Sequence, residues 1–218
     1  LRAWRDDLDD CYAGAPRSDI TKALQPIVEA YAIPKDYFVE LVNGVEMDLT
    51  TTRYDTFDDL RTYCYRVASV VGLICIEIFG YTDPKTKTYA INLGLALQLT
   101  NILRDIGEDA GRDRIYLPQE DLERFGLTEE RILNRESDEA FKAMMAFQCD
   151  RARAYYKEAA DHLSGADRKG MFPAETMGRI YYAILEKIEK RDYDVYAERI
   201  TVSPLWKVGI AAKNWMIR

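Results

Sequence analysis

The stretch QLTNILRDIGED, residues 98–109, decides how the rest of the chain is interpreted. It lies in an apolar, helix-forming segment and yet carries two amides, an arginine and several carboxylates. At 3.6 residues per turn, the spacing i, i+3, i+7, i+11 places Gln98, Asn101, Asp105 and Asp109 in one polar stripe along a helix. Burying carboxylates is costly unless they are paired or bound to a cation. The stripe therefore indicates either a functional site or a solvated helix face.

The chemistry of this stripe suits a hard cation. Asp105 and Asp109 stand one helical turn apart, and Mg²⁺ favours one or two carboxylates together with substrate phosphates. Asn101 can add a neutral oxygen, and Arg104 or Arg112 can contact a phosphate. Acidic pairs at this spacing are also common on solvated faces, so spacing alone leaves both interpretations open.

Composition narrows the class of protein. The 218 residues, 48% hydrophobic and 31% charged, suit one soluble domain with a substantial core. The net charge of −7 disfavours a nucleic-acid partner. Four scattered cysteines without a CxxC pair, and a single His162, predict no zinc site and a reduced, cytoplasmic compartment. We expect no signal peptide and no membrane-spanning run of about 18 apolar residues.

Helical periodicity dominates the chain, and strand-like alternation is hard to find. Two short helical turns are predicted to start at Pro118 and Thr128. The longer helices are predicted at 2–12, 19–32, 35–50, 56–79, 88–110, 137–164, 173–192 and 203–216. Because we find no repeat, linker or break in composition, we predict one all-α domain over residues 1–218.

A second informative segment is YCYRVASVVG, residues 63–72. Tyr63, Val67 and Val71 recur at i, i+4 and i+8, among small residues that include Gly72. Small residues in a core helix either let a neighbouring helix approach closely or line a cavity. Tyr63 on its own would be interpreted as a core tyrosine whose hydroxyl has a partner.

These segments and their surroundings resemble the squalene/phytoene synthase family. The matching pieces follow the family's order across nearly the whole chain, and the run around the aspartates is highly specific. They are WRDDLDDCYAGAP (4–16), NGVEMDLTTTRYDTFDDLRTYCYRVASVVG (43–72), LALQLTNILRDIGEDAGRDRIYLP (95–118) and RIYYAILEKIEKRDYDVYAERI (179–200). The resemblance implies an all-α isoprenoid-synthase fold, in which helices surround a central active-site cavity.

The resemblance also implies a prenyltransferase. Such enzymes join two prenyl diphosphates (geranylgeranyl or farnesyl) head to head through a cyclopropylcarbinyl diphosphate, giving phytoene, squalene or dehydrosqualene. Mg²⁺, or Mn²⁺ in its place, would neutralise the leaving diphosphate, and a dry cavity would protect the carbocation from water. Phytoene synthase is the favoured interpretation, and a squalene or presqualene diphosphate synthase is the alternative. NADPH would be needed only if the product is squalene.

Matching positions carry the family's roles onto this chain. The resemblance implies catalytic roles for Tyr63, Asp105, Asp109 and Tyr116, and metal binding by Asp105, Asp109 and Asn101. The substrate-binding residues that it implies are Gln98, Asn101, Arg104, Tyr181, Arg199, Val67, Val71 and Gly72, of which the last three would line the tunnel for the prenyl tail.

One departure from the family opens an alternative of another class. The family's first aspartate-rich motif lies upstream of the WRDDLDD segment, so we expect the domain to lack its N-terminal helices here. Asp6 and Asp10 have the internal spacing of such a motif, but we interpret them as an exposed helix face. The missing motif would fit a non-catalytic helical scaffold or assembly factor. A head-to-tail prenyltransferase or terpene cyclase is disfavoured by RDIGEDAGRDRIYLP, residues 104–118.

The expected partners are prenyl diphosphates and, because the product is oily, a bilayer surface. We predict peripheral membrane contact, although no polybasic cluster or lipidation signal supports it. The sequence leaves the oligomeric state open between monomer and homodimer. It also leaves open the length of the prenyl substrate.

Overall fold

The computed structural model describes the backbone of residues 1–216, which is helical throughout, with turns between the helices and no strand in that range. The all-α prediction is therefore confirmed. The helices are α1 (Arg2–Tyr12), α2 (Asp19–Ala30), α3 (Lys35–Thr50), α4 (Phe57–Cys64), α5 (Val70–Phe79), α6 (Lys85–Ala110), α7 (Gln119–Arg124), α8 (Glu129–Leu133), α9 (Glu139–His162), α10 (Phe172–Lys190) and α11 (Pro204–Met216).

Several helices begin where side-chain oxygens satisfy the free backbone N–H groups of the first turn. Ser18 accepts from the first turn of α2, and Thr128 does the same for α8. Thr56 and Asp59 form a reciprocal capping box at the start of α4. Asp138 caps α9, which begins two residues later than predicted. Polar capping residues therefore set these boundaries locally.

Helix α6 is the central element of the bundle. It begins three residues earlier than predicted, and it packs against α5, α9 and α10. More than half of its residues are buried. Gly94 allows the closest approach, because a Cβ atom there would lie 2.5 Å from the Cα of Ser69. The polar stripe therefore stands on a helix that its neighbours hold firmly in place.

The prediction of one uninterrupted helix over 56–79 is wrong at its centre. Residues Tyr65–Ser69 form a π-helical turn between α4 and α5. Ser69 Oγ donates to the Ile91 carbonyl oxygen of α6 at 2.7 Å, and the backbone of Ser69 lies against Gly94. A π turn adds one residue to a helical turn and rotates the residues after it by about 100°. Because α5, VVGLICIEIF, is apolar on nearly every side, this rotation leaves no mark in its pattern. Periodicity therefore could not show it.

The helical arm formed by α4, the π turn and α5 (Phe57–Phe79) is long and apolar enough to cross a membrane, judged by length and composition alone. The expectation of no such run is thus corrected. Buried residues of this arm, including Leu60, Tyr63 and Leu73, belong to the core, and the arm packs against α3 and α6. Packing inside the bundle accounts for part of its apolar character.

Candidate active site

The polar stripe of α6 faces an open cavity of about 370 Å³. Asp105 and Asp109 are both half-buried, so the stripe is not a fully solvated helix face. Of the residues predicted for the site, those that line this cavity are Gln98, Asn101, Arg104, Asp105, Asp109, Tyr116, Tyr181 and Arg199. The fold therefore brings the α6 stripe together with the two predicted C-terminal residues.

Asp105 is paired with two arginines. Arg104 Nε lies 2.8 Å from Asp105 Oδ1, and the Nη2 atom of Arg104 contacts Oδ2 of the same carboxylate. Arg199 reaches it from the loop before α11, with Nε 3.1 Å from Oδ1 and Nη2 3.3 Å from Oδ2. Both pairs are bidentate, the geometry that guanidinium groups favour with carboxylates and phosphates. The side chain of Arg199 is 50% exposed, against 11% for Arg104, so the Arg199 pair is the weaker one.

Asp109 is in the opposite situation. Within residues 1–216, no hydrogen bond or ion pair to its carboxylate is found. Burial raises the pKa of Asp109 to about 6, and the negative charge of Asp105 adds to the shift, although Arg114 and Arg112 oppose it. A carboxylate that is half-buried, unpartnered and next to a second carboxylate is stabilised by a nearby cation.

Asn101 also has an unused oxygen. Its Nδ2 lies 3.4 Å from Gln98 Oε1, whereas its Oδ1 is buried without a hydrogen-bond partner. Among the described residues, no three His, Cys, Asp or Glu side chains are arranged as a complete metal site. Two carboxylates and one amide oxygen nevertheless fit Mg²⁺, which takes its remaining ligands from water and substrate phosphates.

Next to the stripe, two tyrosines share one carboxylate. Tyr63 Oη donates to Asp48 Oδ1 at 2.9 Å, and Tyr116 Oη donates to the same oxygen at 3.1 Å. The two hydroxyl oxygens are 3.4 Å apart. Arg114 closes the network, with Nη1 2.9 Å from Tyr116 Oη and Nη2 2.6 Å from the Asp48 carbonyl oxygen. Tyr63 therefore reaches the cavity through Tyr116.

This network keeps its tyrosines protonated. Burial is the first cause that raises the pKa of Tyr63 far above its ordinary value, and the hydrogen bond with Tyr116 is the second. The Tyr63 and Tyr116 rings lie 5.3 Å apart, and Tyr54 stacks on Tyr116 at 5.9 Å. The hydroxyl of Tyr54 is buried and unpartnered. The cluster therefore presents neutral O–H groups beside the cavity.

Asp48 and Arg114 were not predicted from the sequence. Asp48 lies in the last turn of α3, and Arg114 follows α6, so 66 positions of sequence separate the two partners. Both residues stand in the matching segments, NGVEMDL and RDRIYLP. Asp48 is one of several acidic residues of α3, so the sequence did not single it out, and only the packing of α3 shows what it binds.

Three predicted substrate-binding residues lie outside this cavity. Val67 is half-buried against the main apolar cluster, and Val71 is 41% exposed on α5. Gly72 lies against the backbone of α6, where a Cβ atom would stand 3.0 Å from the Ala90 carbonyl oxygen. Close helix packing therefore explains Gly72. Lining of a prenyl-tail tunnel by the three residues stays a prediction.

The alternative acidic pair in α1 is unlike the α6 stripe. Asp6 is exposed, and Asp10 forms an ion pair with Arg17. Asp7 instead holds the start of α2, since it accepts from the backbone N–H of Ser18 at 3.2 Å. The interpretation as an exposed helix face thus fits Asp6, whereas Asp10 is half-buried and paired with Arg17.

Comparison with known proteins gives one consistent family. Residues 1–206 match the family model described as squalene/phytoene synthase. A 15-cis-phytoene synthase of Synechococcus elongatus is 40% identical over 219 residues, which cover 95% of this chain and 71% of that protein. A phytoene synthase of Arthrospira platensis is 39% identical over 95% of this chain and 71% of that protein.

Solved structures agree in fold. The chain matches a dehydrosqualene synthase crystallised with a ligand at a TM-score of 0.87 and 27% identity, over 99% of this chain and 77% of that one. It matches the squalene synthase HpnC from Alicyclobacillus acidocaldarius at a TM-score of 0.81 and 29% identity, over 88% of this chain and 73% of that one. The isoprenoid-synthase fold is thereby confirmed. The chain belongs to the squalene/phytoene synthase family, a family of prenyltransferases.

Proposed function

We propose that this protein condenses two prenyl diphosphates head to head, through a cyclopropylcarbinyl diphosphate, and that its product is phytoene. Family membership and the relatives named phytoene synthase support the reaction class and the product. The observation that carries the proposal is the half-buried, unpartnered Asp109 beside Asp105, in a cavity whose other walls carry arginines. Such a site suits a diphosphate together with a divalent cation.

Asp105, Asp109 and the free oxygen of Asn101 are the groups that would hold Mg²⁺, or Mn²⁺ in its place. The ion, when bound, would offset the negative charge that develops on the leaving diphosphate. Arg104 and Arg112 line the same cavity and would bind phosphate oxygens. Gln98 can orient the amide of Asn101, to which it is hydrogen-bonded.

The tyrosine network would handle protons at the departing group. Tyr63 and Tyr116 stay neutral, and Tyr116, which lines the cavity, can turn its O–H from Asp48 to a diphosphate oxygen as charge develops on it. Tyr63 lies behind Tyr116 and would support that hydroxyl through their hydrogen bond. Asp48 and Arg114 hold the two hydroxyl groups in place. Tyr181 lines the cavity next to Arg104 and would position the substrate from α10.

Arg199 would exchange partners when substrate binds. Its pair with Asp105 is bidentate but half-exposed, so breaking it costs little, and a diphosphate offers the same bidentate geometry. Asp105 would then keep only its pair with Arg104 and could share its carboxylate with the cation, while Arg199 would bind the anionic substrate. In the absence of substrate, the guanidinium group of Arg199 thus occupies a position beside Asp105 that Mg²⁺ would otherwise take.

A squalene or presqualene diphosphate synthase is the second candidate. The structural matches to a squalene synthase and a dehydrosqualene synthase favour it. NADPH would be required only for squalene. A helical scaffold, the alternative of another class, does not account for a carboxylate that is left half-buried and unpartnered. Peripheral contact with a membrane and a cytoplasmic location belong to the same proposal.

Product analysis tests the proposed reaction. The full-length protein is supplied with geranylgeranyl or farnesyl diphosphate and Mg²⁺, with and without NADPH. The expected product is phytoene from the geranylgeranyl substrate, without any need for NADPH. Squalene from farnesyl diphosphate only with NADPH would favour the second candidate. If neither substrate binds saturably, the scaffold is favoured. If Asp105→Asn turns over substrate at the wild-type rate, metal binding by Asp105 is rejected.

A further inference from the structure

Arg53, in the loop between α3 and α4, makes contacts that the proposed reaction does not use. Its Nε lies 2.7 Å from Glu129 Oε2, and its Nη2 lies 2.7 Å from Asp113 Oδ1. Its Nη1 donates to the Asp113 carbonyl oxygen at 2.7 Å and to the Thr52 carbonyl oxygen at 3.0 Å. One guanidinium group therefore ties α8 and the turn after α6 to the α3–α4 loop.

Asp113, which Arg53 holds, lies in the left-handed backbone region, with φ +54°. Residues other than glycine adopt this region at a cost, although aspartate and asparagine adopt it more readily than most. The Asp113 side chain is 80% exposed, so burial does not hold it there. Among the described residues, its contacts are a backbone hydrogen bond to Ala110 and those from Arg53. Arg53 therefore stabilises the left-handed conformation.

The turn that contains Asp113 carries an arginine on each side of it. The backbone N–H groups of Arg112 and Arg114 both donate to the Asp109 carbonyl oxygen, at 2.9 and 3.0 Å. Their side chains nevertheless have different surroundings, since Arg114 donates to Tyr116 Oη, whereas Arg112 lines the cavity of the α6 stripe. The left-handed residue between them changes the direction of the chain. One arginine can therefore bind the tyrosine network while the other faces the cavity.

The placement of Arg112 depends on this turn more than that of Arg114 does. The side chain of Arg114 is fixed by its hydrogen bonds to the tyrosine network. For the exposed Arg112, no hydrogen bond or ion pair of the side chain is found among the described residues. The backbone of the turn therefore sets the position of Arg112 beside Asp109, and Arg53 sets the backbone of the turn.

We propose that Arg53 is a positioning residue for diphosphate binding, which holds Asp113 in its left-handed conformation and so keeps the guanidinium group of Arg112 at the cavity. Arg53 is not one of the described residues that line this cavity. The inference rests on the proposed function, because it takes the bound anion to be a diphosphate. A residue without contact to the anion would thus control the affinity for it.

A purely structural role of Arg53 predicts a different result. A residue that only stabilises the fold changes the free energy of unfolding, and any small effect on binding is independent of Arg112. A residue that acts through Arg112 loses its influence on binding once Arg112 is removed. Comparison of single and double variants distinguishes the two roles, because effects of independent sites add and effects of coupled sites do not.

Calorimetric titration of the full-length protein with inorganic pyrophosphate, at saturating Mg²⁺, tests the proposal without turnover. We expect about tenfold weaker binding for Arg53→Ala and for Arg112→Ala, since each removes the same phosphate contact. The double variant should bind about as weakly as Arg112→Ala alone. The matched control is Arg61→Ala, which removes an exposed ion pair with Asp58 on α4 and should bind like the wild type.

Two substitutions of Asp113 keep the test informative if Arg53→Ala does not fold. The side chain is exposed, so neither substitution should unfold the protein, and circular dichroism melting verifies this. Asp113→Asn tolerates the left-handed region and keeps an oxygen for Arg53, so it should bind pyrophosphate within about twofold of the wild type. Asp113→Val is β-branched and strongly disfavours this region, so it should bind about tenfold more weakly.

The outcomes separate this inference from the proposed function. Additive losses in the double variant, equal affinities of Asp113→Asn and Asp113→Val, or an equal loss in Arg61→Ala would overturn the role of Arg53 and leave the proposed function standing. A wild-type protein that binds no pyrophosphate in the presence of Mg²⁺ would overturn the proposed function, and this inference with it.

Discussion

Two carboxylates beside the same cavity differ in almost every physical respect. Asp48, at the end of α3, accepts hydrogen bonds from Tyr63, Tyr116 and Arg114. For Asp109, at the end of α6, no partner is found among the described residues, and burial raises its pKa to about 6. The carboxylate of Asp48 is thus hydrogen-bonded within the protein, whereas that of Asp109 is free to bind a cation from outside the chain.

This difference separates stability from function. Hydrogen bonds to a charged group stabilise a fold by about 1.5–3 kcal/mol, so the Asp48 network holds the structure together. An unpartnered carboxylate beside another negative charge destabilises the metal-free fold. Proteins tolerate such a cost mainly at functional sites. Substitutions at the two positions should therefore have opposite effects on stability.

The largest expected effect is that of Asp109→Asn. We expect turnover to fall about a hundredfold to a thousandfold, by analogy with the loss of other groups that stabilise developing charge. The metal-free variant should nevertheless be more stable than the wild type by about 1–2 kcal/mol around pH 7, since the buried charge is gone. Steady-state kinetics and urea unfolding measure the two quantities. Asp161→Asn, at an exposed position of α9, is the control and should change neither.

Asp48→Asn should behave in the opposite way. It leaves Arg114 and two buried hydroxyl groups without their charged partner, so the protein should lose about 1–3 kcal/mol of stability. Turnover should fall less than in Asp109→Asn, about tenfold to a hundredfold, through misplaced tyrosines. The affinity for Mg²⁺ should stay within about twofold of the wild-type value, because Asp48 lies outside the α6 stripe. Unfolding curves that match those of Asp109→Asn would remove the distinction between the two carboxylates.

Asp109 should make a contribution of its own to the pH dependence of stability. Because the pKa of Asp109 is raised to about 6 in the folded protein, the fold binds this proton more tightly than the unfolded chain does. Its contribution to stability should therefore fall as the pH rises from about 4 to about 6, and stay constant above that. Subtracting the pH profile of Asp109→Asn from that of the wild type isolates this slope. A difference that rises over the same window would contradict the assignment.

The smallest expected effect belongs to Arg199→Ala. Removing the half-exposed partner of Asp105 should tighten Mg²⁺ binding to the free protein about twofold to fivefold. The KM for the prenyl diphosphate should rise about fivefold, because a bidentate phosphate contact is lost. Arg199→Lys keeps the positive charge but not the planar, bidentate guanidinium group. It should therefore return the Mg²⁺ affinity closer to its wild-type value than the KM. Weaker Mg²⁺ binding in Arg199→Ala would exclude competition between Arg199 and the ion.

The α6 stripe could be predicted because it depends on one helix. Gln98, Asn101, Asp105 and Asp109 share a face at 3.6 residues per turn, whatever surrounds them. The caps that start α4, α8 and α9 are also local, and residues within a few positions of each other determine them. Features that one element determines alone are therefore accessible from the sequence.

Features that need two distant elements were not accessible. The contact of Asp48 with Arg114 spans 66 positions, and that of Asp105 with Arg199 spans 94. The resemblance placed Arg199 near the site, but it did not show that Asp105 is its partner. The π turn at Tyr65–Ser69 likewise lies where Gly94 of α6 approaches the backbone of Ser69, a contact that periodicity within 56–79 does not record.

Calorimetric titration with a non-hydrolysable prenyl thiodiphosphate, at increasing Mg²⁺, tests the central assignment most directly. We expect saturable, Mg²⁺-dependent heat for the wild type and for Asp48→Asn. For Asp109→Asn, which should be the most stable protein of the three, we expect loss of the Mg²⁺ dependence. Binding by Asp109→Asn with the Mg²⁺ dependence of the wild type would show that this carboxylate does not hold the cation.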